Sequence, residues 1–156
     1  MLMSGFDIKM LKNAQDRSII DSIKKIEDTC FSDAWTLSSI EKEFDNKISN
    51  WFAAYDNDDL VGYLLCWCVA DECHLLKIAV HESCRRKGIG GMLISHMIDH
   101  CYINCCKFIE LEVRQSNTDA IRLYEKFGFS KVGERKDYYP DDKETAVMFS
   151  KVLNNC

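Results

Sequence analysis

Apolar positions recur along the chain with two periods, and the switches between them mark the elements. Phe6–Met10 alternates and reads as a first strand. Ile19, Ile20, Ile23 and Ile26 share one face of a 3.6-residue period, so a helix follows. Cys30–Trp35 breaks that period as a loop, and Ser38-x-x-Glu41 resembles a capping box opening a second helix with Leu37, Ile40 and Phe44 inward. Trp51–Tyr55 and Leu60–Val69 are apolar runs joined by Asp56-Asn57-Asp58-Asp59, a turn-rich sequence that predicts a hairpin. Glu72–Val80 adds a third strand to this meander.

Beyond Gly91 the period lengthens again. Leu93 with Met97, and Ile94 with Ile98 and Cys101, predict a helix to about Tyr102. Phe108–Val113 reads as a strand, Asn117 to Phe127 as a helix, and Phe129–Glu134 and Glu144–Leu153 as closing strands. The single proline, Pro140, falls in the loop between them. Strands first and βαβ-like alternation afterwards predict one mixed α/β (α+β) sheet flanked by helices.

Composition narrows the function classes. A chain of 156 residues, 47% hydrophobic and 29% charged, suits one soluble domain with a sizeable core. A net charge of −5 argues against a general grip on nucleic acid, and favours a basic polypeptide partner only weakly. The longest apolar run, Leu60 to Ala70, falls short of the ~20 residues needed to cross a bilayer, and no secretory signal is visible. The expectation is a cytoplasmic protein, monomer or weak dimer. The cysteines number nine, which is odd, and with no sign of secretion a disulfide framework is not expected. Cys66-x-Cys68, Cys73-His74 and Cys105-Cys106 do not make a paired zinc motif, and His96 with His100 lacks the glutamate of H-E-x-x-H; no metal is expected. Most of these thiols lie in apolar runs, where cysteine acts as a small hydrophobe.

The segment Ile78–Gly91, IAVHESCRRKGIGG, holds the first candidate chemistry. A strand ends at Val80, three cations follow at Arg85, Arg86 and Lys87, and Gly88, Gly90 and Gly91 lead into the helix. The first N–H groups of a helix lack internal partners and sit at the positive end of its dipole. Glycines let such a backbone approach a diphosphate, and cations neutralise it. Taken alone, the segment also fits a solvated basic turn before a surface helix. Neither G-x-x-x-x-G-K-[ST] nor a full G-x-G-x-x-G is present, so an NTP or NAD site does not follow.

Arg85-Arg86-Lys87-Gly88-Ile89-Gly90 resembles the [R/Q]-x-x-G-x-G/A pyrophosphate loop of the GNAT superfamily of N-acetyltransferases, and Ile78-Ala79-Val80 stands where their cofactor strand ends. A second block extends the resemblance. Leu111-Glu112-Val113-Arg114-Gln115-Ser116-Asn117, followed by Ala120, Leu123-Tyr124-Glu125 and Gly128-Phe129, is similar to the matching segment of the RimI-type ribosomal-protein-alanine N-acetyltransferases. Trp35 and Tyr138-Tyr139-Pro140 are similar to the same branch, so the likeness runs from about Trp35 to Met148. Four positions depart from the pattern: Ala34 for proline, Lys77 for asparagine or threonine, and His81-Glu82 for Asp-Pro.

The resemblance implies a GNAT fold: a mixed, mostly antiparallel sheet of about six to seven strands with about four helices. It implies acetyl transfer from acetyl-CoA to a protein N-terminus, with the N-terminal alanine of a small-subunit ribosomal protein as acceptor. Cofactor contacts then fall on Ile78, Ala79, Val80, Arg85, Arg86, Lys87, Gly88, Ile89, Gly90, Gly91 and Asn117. Glu112 becomes the general base and Tyr124 the general acid for the departing thiolate, while Trp35, Tyr138 and Tyr139 border the peptide. By residue type alone Glu112 is a solvent-facing strand residue, Tyr124 a core tyrosine, Asn117 a helix N-cap, Trp35 a core anchor, and Tyr138 and Tyr139 packing groups. An α-amine, with pKa near 8 against about 10.4 for lysine, needs the less help to lose its proton. Another N-terminus, a lysine or a small amine remains open as acceptor, and so does a non-catalytic acyl-CoA sensor.

Overall fold

Seven strands form one sheet: β1 (Phe6–Leu11), β2 (Ser49–Asp56), β3 (Asp59–Val69), β4 (Glu72–Val80), β5 (Phe108–Arg114), β6 (Ser130–Arg135) and β7 (Ala146–Val152). Their spatial order is β1-β2-β3-β4-β5-β7-β6, and only β4 and β5 run parallel. The helices are α1 (Arg17–Cys30), α2 (Leu37–Phe44), α3 (Ile89–Ile103) and α4 (Thr118–Lys126). This computed structural model describes residues 5–12 and 16–154. No helix among those residues is long and apolar enough to cross a membrane.

The helix starts follow from local hydrogen bonding. Asp16 caps α1 by accepting from the Ser18 N–H, and Asn117 caps α4 by accepting from the Ala120 N–H at 3.2 Å. The capping box expected from Ser38 and Glu41 does not form. Thr36 caps α2 instead, its hydroxyl accepting from the Ser39 N–H at 3.1 Å, because the helix begins at Leu37 rather than after Ser38.

The sheet carries a core on each face. Leu64, Cys66, Leu75, Ile109, Leu111 and Phe149 pack beneath α3, whose Leu93, Ile94 and Met97 are fully buried. Trp51, Tyr63, Leu65 and Ala79 pack beneath α1 and α2 with Ile23, Ile26 and Ile40. A polar tie runs through the second core. Glu27 of α1, 1% exposed, accepts from Lys77 Nζ at 2.9 and 2.8 Å, from the Trp35 N–H at 2.8 Å and from the Tyr63 hydroxyl. Lys77 also lies over the rings of Phe31 and Trp35, at 4.3 and 4.7 Å from their centroids. The lysine that departs from the family pattern thus pins the α1–α2 loop to β4.

Two irregularities in β4 open the molecule at its centre. Leu65 pairs with Lys77 and Cys66 with Leu75, so Leu76 is a bulge residue without a partner on β3. Pairing with β5 runs only from Glu72↔Phe108 to Leu75↔Leu111. Past that point β4 continues to Val80 and β5 to Arg114 without bonding each other, and the two strands diverge.

Candidate active site

The divergence of β4 and β5 produces a cleft lined by Leu75, Leu76, Lys77 and Ile78 on one side and Leu111, Glu112, Val113 and Arg114 on the other. Cys30 at the end of α1 and Phe31, Ser32 and Asp33 of the α1–α2 loop border it with Tyr139, while Asn117, Ala120 and Tyr124 close it from the α4 side. A groove continues from it between Ile78–Val80, the 84–91 turn and α4, sharing Ile78, Ala120 and Tyr124 with the cleft. Glu112 and Tyr124, far apart by residue type and element, thus face one space.

Glu112 is not the free solvent carboxylate that its strand position suggested. Its Oε2 lies 2.6 Å from Nε2 of His74, which comes from β4 on the same sheet face. Because Leu111 and Val113 are buried under α3, alternation turns Glu112 toward the α1–α2 loop, and Cys73 and Leu75 turn His74 the same way. The His74 hydrogen bond holds the Glu112 carboxyl below its ordinary range against the opposing effect of burial, with Arg135 adding to it. The same bond raises His74; Glu110 adds to that rise, while burial and Arg135 oppose it. The His74 side chain is 36% exposed, so the pair joins the cleft to solvent.

At the other end, Gly88 takes a left-handed backbone, φ 83°, as the N-cap residue of α3, with open space where a Cβ would stand. Ile89, Gly90 and Gly91 form the first turn, whose N–H groups have no helical acceptor. The three glycines divide their work: Gly88 shapes the turn, whereas a Cβ on Gly90 or Gly91 would come within 3.2 Å of Leu123 or 3.3 Å of Phe127. The latter two therefore set how closely α3 and α4 approach beside the groove. Arg86 and Lys87 are exposed. Arg85 is tethered, its Nε donating to the Val80 carbonyl at 3.1 Å, and so braces the turn against the strand end. A Gly88→Ala substitution is expected to cost about 1–2 kcal/mol through its left-handed backbone, measurable by urea denaturation.

Tyr124 is 5% exposed, packed against Phe129 and Phe149 at 5.8 and 6.5 Å between ring centroids. Burial pushes its phenol well above the ordinary tyrosine range, with Tyr139 adding to the rise, which keeps it protonated at neutral pH. Tyr139 borders the cleft under the Arg114 guanidinium, 3.9 Å from the ring centroid, and burial raises its phenol to about 12. Arg114 also pairs with Asp141 at 3.0 Å and Asp142 at 2.9 Å, fastening the 136–145 loop over the cleft. Tyr138 is 41% exposed and stacks edge-on against Tyr139. Trp35 lies one layer back, over Lys77, and Phe31, Ser32 and Asp33 take the cleft-lining positions of its loop. His74, Arg114 and the Phe31–Asp33 segment did not stand out as site residues in the sequence; only strand register and the α1–α2 loop path bring them there.

Residues 20–129 match the model of the acetyltransferase (GNAT) family. A ribosomal protein bS18-alanine N-acetyltransferase of Escherichia coli (strain K12) is 36% identical over 101 residues, covering 64% of this chain and 68% of the relative. A Bacillus subtilis (strain 168) relative, whose name assigns it that activity provisionally, is 32% identical over 136 residues, 86% of this chain and 90% of its own. The crystal structure of the Escherichia coli ribosomal-protein-S18-alanine N-acetyltransferase superposes with a TM-score of 0.87 at 26% identity, covering 97% and 96% of the two chains. Arabidopsis thaliana NAA60 bound to acetyl-CoA shares the fold, with a TM-score of 0.85 at 18% identity over 96% and 99% of the chains.

Proposed function

The chain belongs to the GNAT family of acetyltransferases, with acetyl-CoA as its acyl donor, and on that premise we propose that it acetylates the N-terminal alanine of a bS18-type ribosomal protein. The observation that carries the reading is the β4–β5 split, where Glu112 and Tyr124 face one cleft that opens into a groove ending at the α3 N-terminus. The residues fit the donor. Free N–H groups of the α3 first turn and the exposed Arg86 and Lys87 suit its diphosphate. The edge of β4 beyond Leu75, unpaired with β5, suits its amide-bearing arm by strand-like bonding. The acetyl group arrives as a thioester, the chemistry the donor supplies.

The chain's own groups then handle two protons. Glu112 takes one from the attacking amine, and Tyr124 offers its phenolic proton to the departing thiolate. His74 completes the first transfer: a proton on Glu112 passes across the 2.6 Å contact to Nε2 and leaves through the exposed edge of the imidazole. A carboxylate held below its ordinary range is a weak base, which suits an α-amine better than a lysine.

Acceptor choice is tested with a peptide carrying the bS18 N-terminus against the same peptide blocked and bearing an internal lysine. A kcat/KM preference of about 100-fold for the free alanine is expected near neutral pH, from the difference in amine pKa. Equal rates, or preference for lysine, would overturn the acceptor. Tyr124→Phe is expected to lower kcat by about 10- to 100-fold with little change in KM, read in the same assay.

The pH dependence has a definite sign. His74 is raised above its ordinary 6.5, so below its folded pKa it carries the proton and cannot accept another. Turnover therefore rises with pH through a midpoint above 6.5, and His74→Gln removes that limb while the limb of the amine itself stays. The pair also stabilises the fold most between the ordinary values of 4.5 for glutamate and 6.5 for histidine. That stability is lost as pH rises through the raised histidine pKa, or falls through the lowered glutamate one. A kcat–pH profile of the variant that matches wild type would remove His74 from the proton path.

A further inference from the structure

β3, β4 and α3 bring five thiols to one place away from the cleft. Cys66 and Cys68 stand two residues apart on β3 and share a face, and Cys73 of β4 is the register partner of Cys68. Cys101 comes from the last turn of α3, and Cys106 from the segment that follows. The Sγ atoms of Cys66, Cys68 and Cys73 lie within 4.8 Å of one another, and so do those of Cys68, Cys101 and Cys106. Cys68 belongs to both triads. All five are free thiols, whereas Cys105 is disulfide-bonded.

We propose that this cluster is a binding site for one thiophilic d10 metal ion, zinc or copper(I), with Cys68 as the shared ligand. Thiolates around tetrahedral zinc, bonded at about 2.3 Å, stand about 3.8 Å apart, so each triad needs to tighten by about 1 Å or less. Buried cysteines that merely fill space can sit anywhere in a core, yet five of the seven free ones among the described residues meet here. They do so through a hairpin register and a helix end, which fix the sulfurs before any ion arrives. Soft sulfur donors select these ions over magnesium or calcium. A metal ligand must be thiolate, and Cys68 is the sulfur placed to be shared, since its Sγ lies within 4.8 Å of those of Cys66, Cys73, Cys101 and Cys106. Cys68 is also half-buried where the other four are buried, which gives the ion a way in from the β3–β4 turn. The two-residue and adjacent spacings match no zinc motif because the ligands converge through sheet pairing rather than along the chain.

The test uses the full-length untagged protein, reduced and freed of metal. Zinc and, in a separate arm under anaerobic conditions, copper(I) are titrated against a chromophoric chelator, and cadmium is followed by its thiolate charge-transfer absorbance. The expected result is saturation at about one ion per chain for at least one metal, with protection of Cys66, Cys73 and Cys101 from alkylation in mass spectra. Cys68→Ser, checked for native circular dichroism, is expected to weaken binding at least about tenfold, while Cys84→Ser, outside the cluster, binds as wild type. Should Cys68→Ser fail to fold, Cys106→Ser and the alkylation pattern of the wild-type protein decide. Absence of saturable binding, or binding unchanged by loss of a cluster thiol, would overturn the site and leave the acetyl-transfer reading untouched.

Discussion

Replacing Glu112 with glutamine is expected to lower kcat by about 10²- to 10⁴-fold, with KM for donor and peptide changed by less than about threefold. Glutamine keeps the shape and can still contact His74, so the cleft walls stay in place while the proton acceptor is lost. Glu110 supplies the internal comparison: it lies two residues away on the same strand and face, exposed and outside the cleft. Glu110→Gln is expected to leave kcat within about twofold. Steady-state kinetics with a bS18 N-terminal peptide read both. A small loss in Glu112→Gln, or equal losses in the two variants, would return Glu112 to an ordinary strand residue.

Glu27→Ala is expected to cost about 3–5 kcal/mol, the usual consequence of stranding one partner of a buried ion pair. The loss spreads over three elements. The Lys77 ammonium, 13% exposed, is left without its carboxylate, and the Tyr63 hydroxyl and the Trp35 N–H lose their acceptor. For a chain of this size the melting temperature should fall by roughly 10 °C or more. Because Trp35 anchors the loop that carries Phe31–Asp33 to the cleft, KM for the peptide should also rise. The pair Glu27→Leu with Lys77→Met is expected to recover most of the stability, since replacing both charges removes the desolvation penalty. Thermal and urea denaturation of the single and double variants measure the coupling.

The elements themselves were legible because each carries its own period. Ile19–Ile26 wrote α1, the Asp56–Asp59 turn wrote the β2–β3 hairpin, and Arg85–Gly91 announced a helix start shaped for an anion. What lay out of reach depends on pairings between distant residues. His74 meets Glu112 across 38 positions of sequence, through the short parallel register that joins β4 to β5. No local pattern encodes that register, nor the Leu76 bulge that turns Lys77 toward Glu27. Gly90 and Gly91 looked equivalent to Gly88, and only the position of α4 separates packing glycines from the left-handed one. The cysteines read singly as small hydrophobes, and their convergence required the fold.

The most direct measurement is a crystal structure with a coenzyme A conjugate whose acetyl bridge joins the cofactor sulfur to the N-terminal alanine of a bS18 peptide. The expected result places the diphosphate on the N–H groups that open α3, the sulfur beside the Tyr124 hydroxyl, and the alanine nitrogen toward Glu112, directly or through one water. A diphosphate bound elsewhere, or a peptide that enters without passing between β4 and β5, would contradict it.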